Sequence, residues 1–250
     1  MLLDARNLSK AFGSFHALDG ASIAIEEGEV LGLIGPNGAG KSTFFNCLTG
    51  DLTPSSGSVH FRGRDVTALG PDARARLGIA RTFQVPLTFE SMSVLDNVMI
   101  GAFLRYPGPA AARAKARQVI DHVGLAAVRD VPAKSLGTPG RKRLEIARAL
   151  ASEPKVLLLD EAMAGLTPAE IGRAIELVRQ IHASGMTLLI VEHIMEVILS
   201  LADRVVVLHQ GREIAQGTPT EVTGHPAVIE AYLGKRAAGR VAAGRSGAAP

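Results

Sequence analysis

Short, continuous apolar runs recur along the chain. Glu29–Ile34 (EVLGLI) reads as a buried strand running into a Gly-rich turn, with a helix over Thr43–Leu48 after it. Val156–Leu159, Thr187–Val191 and Arg204–Leu208 read as further buried strands. Helical stretches at Ala169–Ala183 and Ile194–Ala202 alternate with them. Such alternation predicts an α/β fold with a mainly parallel sheet covered on both faces.

The middle of the chain departs from this pattern. Val94–Leu104, Ala110–Val123 and Lys142–Ala151 read as helices, punctuated by Pro107, Pro109, Pro132 and Pro139. The stretch from about 93 to 152 is therefore expected to be a helical subdomain inserted into the α/β core. No internal repeat is visible.

Composition narrows the function. The chain has 250 residues, enough for a substantial core. Aromatics make up 4% and Trp is absent, which argues against a base-stacking platform for nucleic acid. Cys47 is the single cysteine, so no intrachain disulfide can form, and a small core role suits it. The seven histidines form no metal-ligand spacing. The longest apolar runs are strand-sized and the N-terminus lacks the apolar core of a signal peptide, so the chain is expected neither to span nor to cross a membrane by itself.

The isoelectric point of about 9.2 suggests a polyanion partner until the charge is located. Lys235, Arg236, Arg240 and Arg245 fall in residues 235–250, which hold no acid. The remainder carries 23 basic against 24 acidic residues, a net of −1. The Gly/Ala-rich segment 235–250 is expected to be a disordered basic tail, and nucleic acid is not an expected partner.

Residues 35–43, GPNGAGKST, satisfy G-x-x-x-x-G-K-[ST] between a strand and a helix, as the motif requires. Gly35, Asn37, Gly38, Ala39 and Gly40 form a loop whose amides can turn inward onto a phosphate, aided by the helix dipole. Lys41 brings a point charge to the terminal phosphates. The Ser42 hydroxyl suits Mg²⁺, and Thr43 completes the motif. A chance Gly-rich turn is the weaker alternative, given the flanking elements.

VLLLDE at 156–161 ends a buried strand in two carboxylates. Asp160 is placed to hold Mg²⁺, directly or through water. Glu161 is placed to orient or deprotonate an attacking water, since phosphoryl transfer rests mostly on positioning and charge stabilisation. As an isolated pair the two would be common capping residues. His193 follows the strand LLIV and Glu192, where it can bond a γ-phosphate, although a lone histidine is usually structural. Gln84, in RTFQ, can ligate Mg²⁺ or bind the water, although most glutamines are simply solvated. Phe12, ahead of the loop, can stack on adenine or pack in a core.

Taken in order, Phe12, GPNGAGKST, Gln84, the helical insert, RLEIARALA (143–151), VLLLDE, AGLT (164–167) and His193 resemble the ABC ATPase family. The resemblance covers roughly residues 1–234, read as one ATP-binding domain. It implies a P-loop NTPase cassette with a RecA-like core, an antiparallel β part and a helical subdomain. It also implies bound ATP and Mg²⁺, with Phe12 on adenine, Gln84 coupling Mg²⁺ to a membrane partner and His193 on the γ-phosphate. Two subunits would sandwich two ATPs.

Within that family the chain is similar to the ATPases of branched-chain amino acid importers. RTFQ, SVLDNVMIGA (93–102), RLEIARAL, LDEAMAGLTPAE (159–170), VEHIMEVI (191–198) and VIEAYLG (228–234) carry the likeness. Relatives in that subgroup handle urea and amides. The resemblance implies transmembrane permease subunits as partners, a second and different ATPase subunit, an extracytoplasmic solute-binding protein acting indirectly, and a peripheral position on the cytoplasmic face of the membrane. A soluble ABC ATPase acting on nucleic acid or ribosomes is the alternative. Such proteins typically carry two cassettes or a long coiled coil, and this chain shows neither.

One departure stands out. The family usually places LSGGQ ahead of the helix expected to begin near Arg141. Here the ungapped match is Leu136-Gly137-Thr138-Pro139-Gly140. Gly137 lacks the serine hydroxyl, and Pro139 has no N–H to give a phosphate. A one-residue gap would place Thr138 at the serine instead.

Overall fold

A computed structural model describes residues 1–233, and the basic segment 235–250 lies outside them. In chain order the elements are β1 (Leu3–Phe12), β2 (Phe15–Ile25), β3 (Val30–Ile34), α1 (Lys41–Thr49), β4 (Ser56–Phe61), β5 (Arg64–Asp65), α2 (Pro71–Leu77) and β6 (Ile79–Arg81). The helices α3 (Val94–Ala102), α4 (Pro109–His122) and α5 (Thr138–Ala151) follow. The chain continues through β7 (Val156–Asp160), α6 (Pro168–Ala183), β8 (Thr187–Val191), α7 (Met195–Leu201), β9 (Arg204–His209), β10 (Arg212–Gly217), α8 (Pro219–Gly224) and α9 (Pro226–Leu233).

These strands form two sheets. One is antiparallel, in the order β2-β1-β4-β5. The other runs β10-β9-β3-β8-β7-β6 and is parallel apart from β10 on its edge. Every position of β3, β7 and β8 is buried, which is why their hydropathy shows no alternation. Side chains nevertheless alternate between two cores. Val156 and Leu158 join Leu31, Leu33 and the α1 residues Phe44 and Phe45 under the antiparallel sheet. Leu157 and Leu159 join Leu188, Ile190 and the helices on the opposite face. Each such side chain contributes roughly 1.5–3 kcal/mol on burial.

Parallel register is what assembles the site. Leu33 and Asp160 both pair with Val191 on either side of β8. The Gly-rich turn after β3, the carboxylates after β7 and Glu192-His193 after β8 therefore leave the sheet at one level, where open α/β sheets bind ligands.

The α/β expectation holds, and so does the antiparallel part. Helix starts differ from the sequence reading. α1 begins at Lys41 rather than Thr43, and α5 at Thr138 rather than Lys142. Proline caused the second discrepancy. In the sequence Pro139 marks a break, but it occupies the first turn of α5, where a missing N–H costs no helical hydrogen bond. Thr138–Gly140 is thus the opening turn of α5, with Gly137 at its N-cap, and not a loop ahead of it.

Candidate active site

The phosphate loop takes its shape from two glycines. A Cβ at Gly35 would collide with the carbonyl of Leu208, and one at Gly40 would lie 2.5 Å from the carbonyl of Ala17. Gly40 also has φ 100°, in the region that glycine alone enters without strain. Lys41 opens α1 and is only 8% exposed. Its Nζ donates to the carbonyls of Gly35 (2.7 Å) and Pro36 (3.1 Å), so it is folded onto the loop. Burial pulls its pKa down, and Glu161 and Asp160 push it back up.

Asn37, Gly38, Ala39, Gly40, Lys41, Ser42 and Thr43 line an open cavity of about 320 Å³, completed by Phe15, Ala17, Gln84 and Glu161. A Gly-rich turn, a buried ammonium and a helix N-terminus suit it to a polyphosphate.

Asp160 sits behind this cavity, buried at the tip of β7. Its amide donates to Thr82 Oγ1 at 3.2 Å, and its carboxylate lies 3.7 Å from Arg81 Nη2. Burial raises the Asp160 pKa; Arg81 and Lys41 oppose the rise and Glu161 adds to it. Arg81 is itself fixed, with its guanidinium 4.6 Å from the Phe45 ring centroid and 4.3 Å from that of Phe83. It also bonds Asn46 Oδ1 (2.9 Å) and Asp51 Oδ2 (2.7 Å).

Glu161 is held on three sides. Its amide donates to the Val191 carbonyl (2.9 Å), its own carbonyl accepts from Lys142 Nζ (3.1 Å) and its carboxylate accepts from Gln84 Nε2 (2.7 Å). His193 is exposed, with Nδ1 3.9 Å from Glu161 Oε1 and 4.0 Å from Glu192 Oε2. Glu192 is 1% exposed and accepts the amides of Met163 (2.9 Å) and His193 (3.3 Å). Desolvation raises its pKa.

The fold thus brings Lys41, Ser42, Gln84 and Glu161 to one cavity, with Asp160 and His193 beside it. Phe12 is outside the lining. It lies across the hairpin from Phe15, which lines the cavity, and Lys10 Nζ is 5.3 Å from its ring centroid. The sequence pattern marks no role for Phe15, Arg81, Lys142 or Glu192. Both aromatics flank the Gly13 turn, and nothing in the pattern says which one faces the cavity.

Among the described residues no group of three or more His, Cys, Asp and Glu can hold a metal ion. The Ser42 hydroxyl, the Asp160 carboxylate and the Gln84 amide oxygen are instead a sparse, hard-oxygen set. Such a set fits Mg²⁺, an ion that keeps several waters and shares phosphate oxygens.

Comparison with known proteins places this geometry. The model of the ABC transporter family matches residues 18–164. That of the branched-chain amino acid ATP-binding cassette transporter matches residues 212–238. The chain is 36% identical to the high-affinity branched-chain amino acid transport ATP-binding protein LivG of Salmonella typhimurium, over 94% of this chain and 98% of that protein. It is 36% identical to the lipopolysaccharide export system ATP-binding protein LptB of Acidithiobacillus ferridurans, over 93% and 97%. Among solved structures, a nucleotide-free ATP-binding cassette from an ABC transporter superposes with a TM-score of 0.85 at 34% identity, covering 94% of this chain and 99% of that one.

Proposed function

The chain belongs to the ABC transporter ATP-binding family, and from that premise we propose that it powers an importer of branched-chain amino acids or related small solutes such as amides or urea. It is an ATPase coupled to transport. The observation that carries the solute class is the match of residues 212–238 to the branched-chain cassette model, which the LivG likeness supports. The likeness to LptB is of similar strength, so the solute needs its own test.

In this reading residues 1–234 form the ATP-binding domain and 93–152 its helical arm. ATP lies with its phosphates in the loop 35–43 and its adenine on the Phe12–Phe15 hairpin. Lys41, already dehydrated, neutralises the terminal phosphates. Ser42, Asp160 and Gln84 hold Mg²⁺, which supplies charge neutralisation when bound. Glu161 orients and deprotonates the attacking water, and His193 bonds the γ-phosphate. Gln84 joins Glu161 directly, so a push on the Gln84 loop reaches the group that activates water.

That loop offers a surface for the push. Val85, Leu87, Phe89, Ile100 and Phe103 are exposed large apolar residues on the Gln84 segment, on α3 and at its C-cap. A permease segment docked there would cover them. Among the described residues no helix is long and apolar enough to cross a membrane. Membrane contact through permease subunits, on the cytoplasmic face, is accordingly part of the proposal. A second, different ATPase completes the dimer, and a solute-binding protein acts only indirectly.

Uptake of radiolabelled leucine by cells lacking this chain, restored by the wild type but not by Lys41→Ala, tests the reading. Uptake that survives the deletion, with no permease co-purifying, would refute it.

A further inference from the structure

One face of α5 grips both active-site loops. Lys142 and Glu145 are one turn apart on that face and are 7% and 3% exposed, depths that charged residues rarely reach. Lys142 Nζ donates to the carbonyl of Glu161 at 3.1 Å. Glu145 Oε1 accepts the amide of Leu87 at 3.2 Å, on the loop that carries Gln84. Arg148, on the same face, lies 3.9 Å from Glu145 Oε1 and 5.7 Å from the centroid of the Phe89 ring, farther along that loop. The two gripped loops meet at the bond from Gln84 to Glu161, which closes the circuit.

A lysine and a glutamate buried only for stability would be expected to satisfy each other. Here Lys142 donates to the backbone of one loop and Glu145 accepts from the backbone of the other. Lys142 and Glu145 form no ion pair with each other, so their burial is explained by the loop geometry they hold rather than by a mutual charge pair. Glu161 needs such support, because its φ of 44° lies in the left-handed region that non-glycine residues seldom adopt. Burial pulls the Lys142 pKa down, and Glu192, Glu145 and Glu161 oppose that loss of charge.

We propose that Lys142 and Glu145 are positioning residues, through which α5 sets the approach of Gln84 to Glu161. The inference rests on the reading of Glu161 as the group that activates water. It has a directional consequence. Lys142 lies just past the opening turn Thr138–Gly140, so a shift of α5 imposed at that turn moves the Glu161 carbonyl and the Gln84 loop together.

The test is steady-state hydrolysis by the assembled transporter, with nucleotide binding and thermal unfolding measured on the same samples. Lys142→Met should lower kcat about tenfold, the weight of one hydrogen bond from a charged donor, with KM for ATP within about twofold of wild type. Lys142→Arg, which keeps a charged donor, should recover most of the loss. Glu145→Gln should lower kcat in the same way. If Lys142→Met does not fold, Lys142→Gln is assayed by single turnover and should show the same selective loss. A wild-type kcat in the folded variants overturns the proposal. So does a loss of kcat and ATP binding together, in step with stability and not recovered by arginine. Glu161→Gln is run alongside. If it abolishes turnover while Lys142→Met does not, only the positioning role fails; if it turns over normally, the reading of Glu161 fails.

Discussion

Gln84 and Glu161, 77 residues apart in sequence, meet at the edge of the phosphate cavity with Nε2 2.7 Å from Oε2. The amide therefore contacts the carboxylate to which the proposed function assigns the attacking water. Glu161→Gln replaces a charge-assisted acceptor with a neutral amide and, in the proposed function, removes the base. Hydrolysis should fall by about 10²–10⁴-fold while ATP still binds, trapping a nucleotide-loaded dimer. Turnover counts and a filter-binding assay decide, and a wild-type rate would remove Glu161 from the mechanism.

The hairpin aromatics separate by truncation. Phe15 lines the cavity and Phe12 does not. Phe15→Ala should therefore weaken ATP binding by about tenfold, as loss of a stacked ring does, and by more than Phe12→Ala. Fluorescent-nucleotide titration of both variants checks the order. The reverse order would favour Phe12 as the adenine-stacking ring, as the family resemblance implies.

Asp160 ties function to an instability. Its pKa is raised from the ordinary 3.8 by burial. Between that value and the raised one the folded chain holds more protons than the unfolded chain. Stability contributed by this group therefore falls as pH rises through the window, and the cost persists above it. Asp160→Asn should raise the Tm of the nucleotide-free protein at neutral pH, with a gain that shrinks as pH drops through the window, and should abolish Mg²⁺-dependent hydrolysis. Thermal melts across pH test this. An unchanged or lower Tm at neutral pH would show that Arg81 and Lys41 already offset the burial.

The opening turn of α5 bears on the choice of partner. Gly137 offers no hydroxyl and Pro139 no N–H, and each missing bond to a phosphate is worth roughly 1.5–3 kcal/mol, about tenfold or more in affinity. The chain alone should hydrolyse slowly and speed up with a second, different ATPase. Gly137→Ser with Pro139→Gly should raise the rate of the chain alone, at a small loss of Tm as the first turn gains backbone freedom. Rapid hydrolysis by the unmodified chain alone, unimproved by the double change, would show that the departure is harmless.

Much of the site is legible along the chain because its chemistry is local. The loop 35–43 declares itself through three closely spaced glycines, a lysine and a hydroxyl within nine residues, although the carbonyls of Leu208 and Ala17 that press on Gly35 and Gly40 come from distant strands. Asp160 and Glu161 declare themselves at the end of an uninterrupted apolar strand. The α/β core is legible for the same reason, since full burial of β3, β7 and β8 demands continuous apolar runs.

Other features depended on tertiary structure. Whether Phe12 or Phe15 faces the cavity depends on where the hairpin sits against the loop. Arg81 reaches Asp160 because β6 pairs with β7 in parallel register, and the pattern of the segment RTFQ gives no hint of it. Nothing in the pattern of the segment marks Lys142 and Glu145 as buried; the packing of α5 in the folded chain decides it. Hydropathy reports what each residue loses or gains on leaving water. It does not report which distant group meets a side chain, because sheet register and helix packing decide that only when the whole chain has closed.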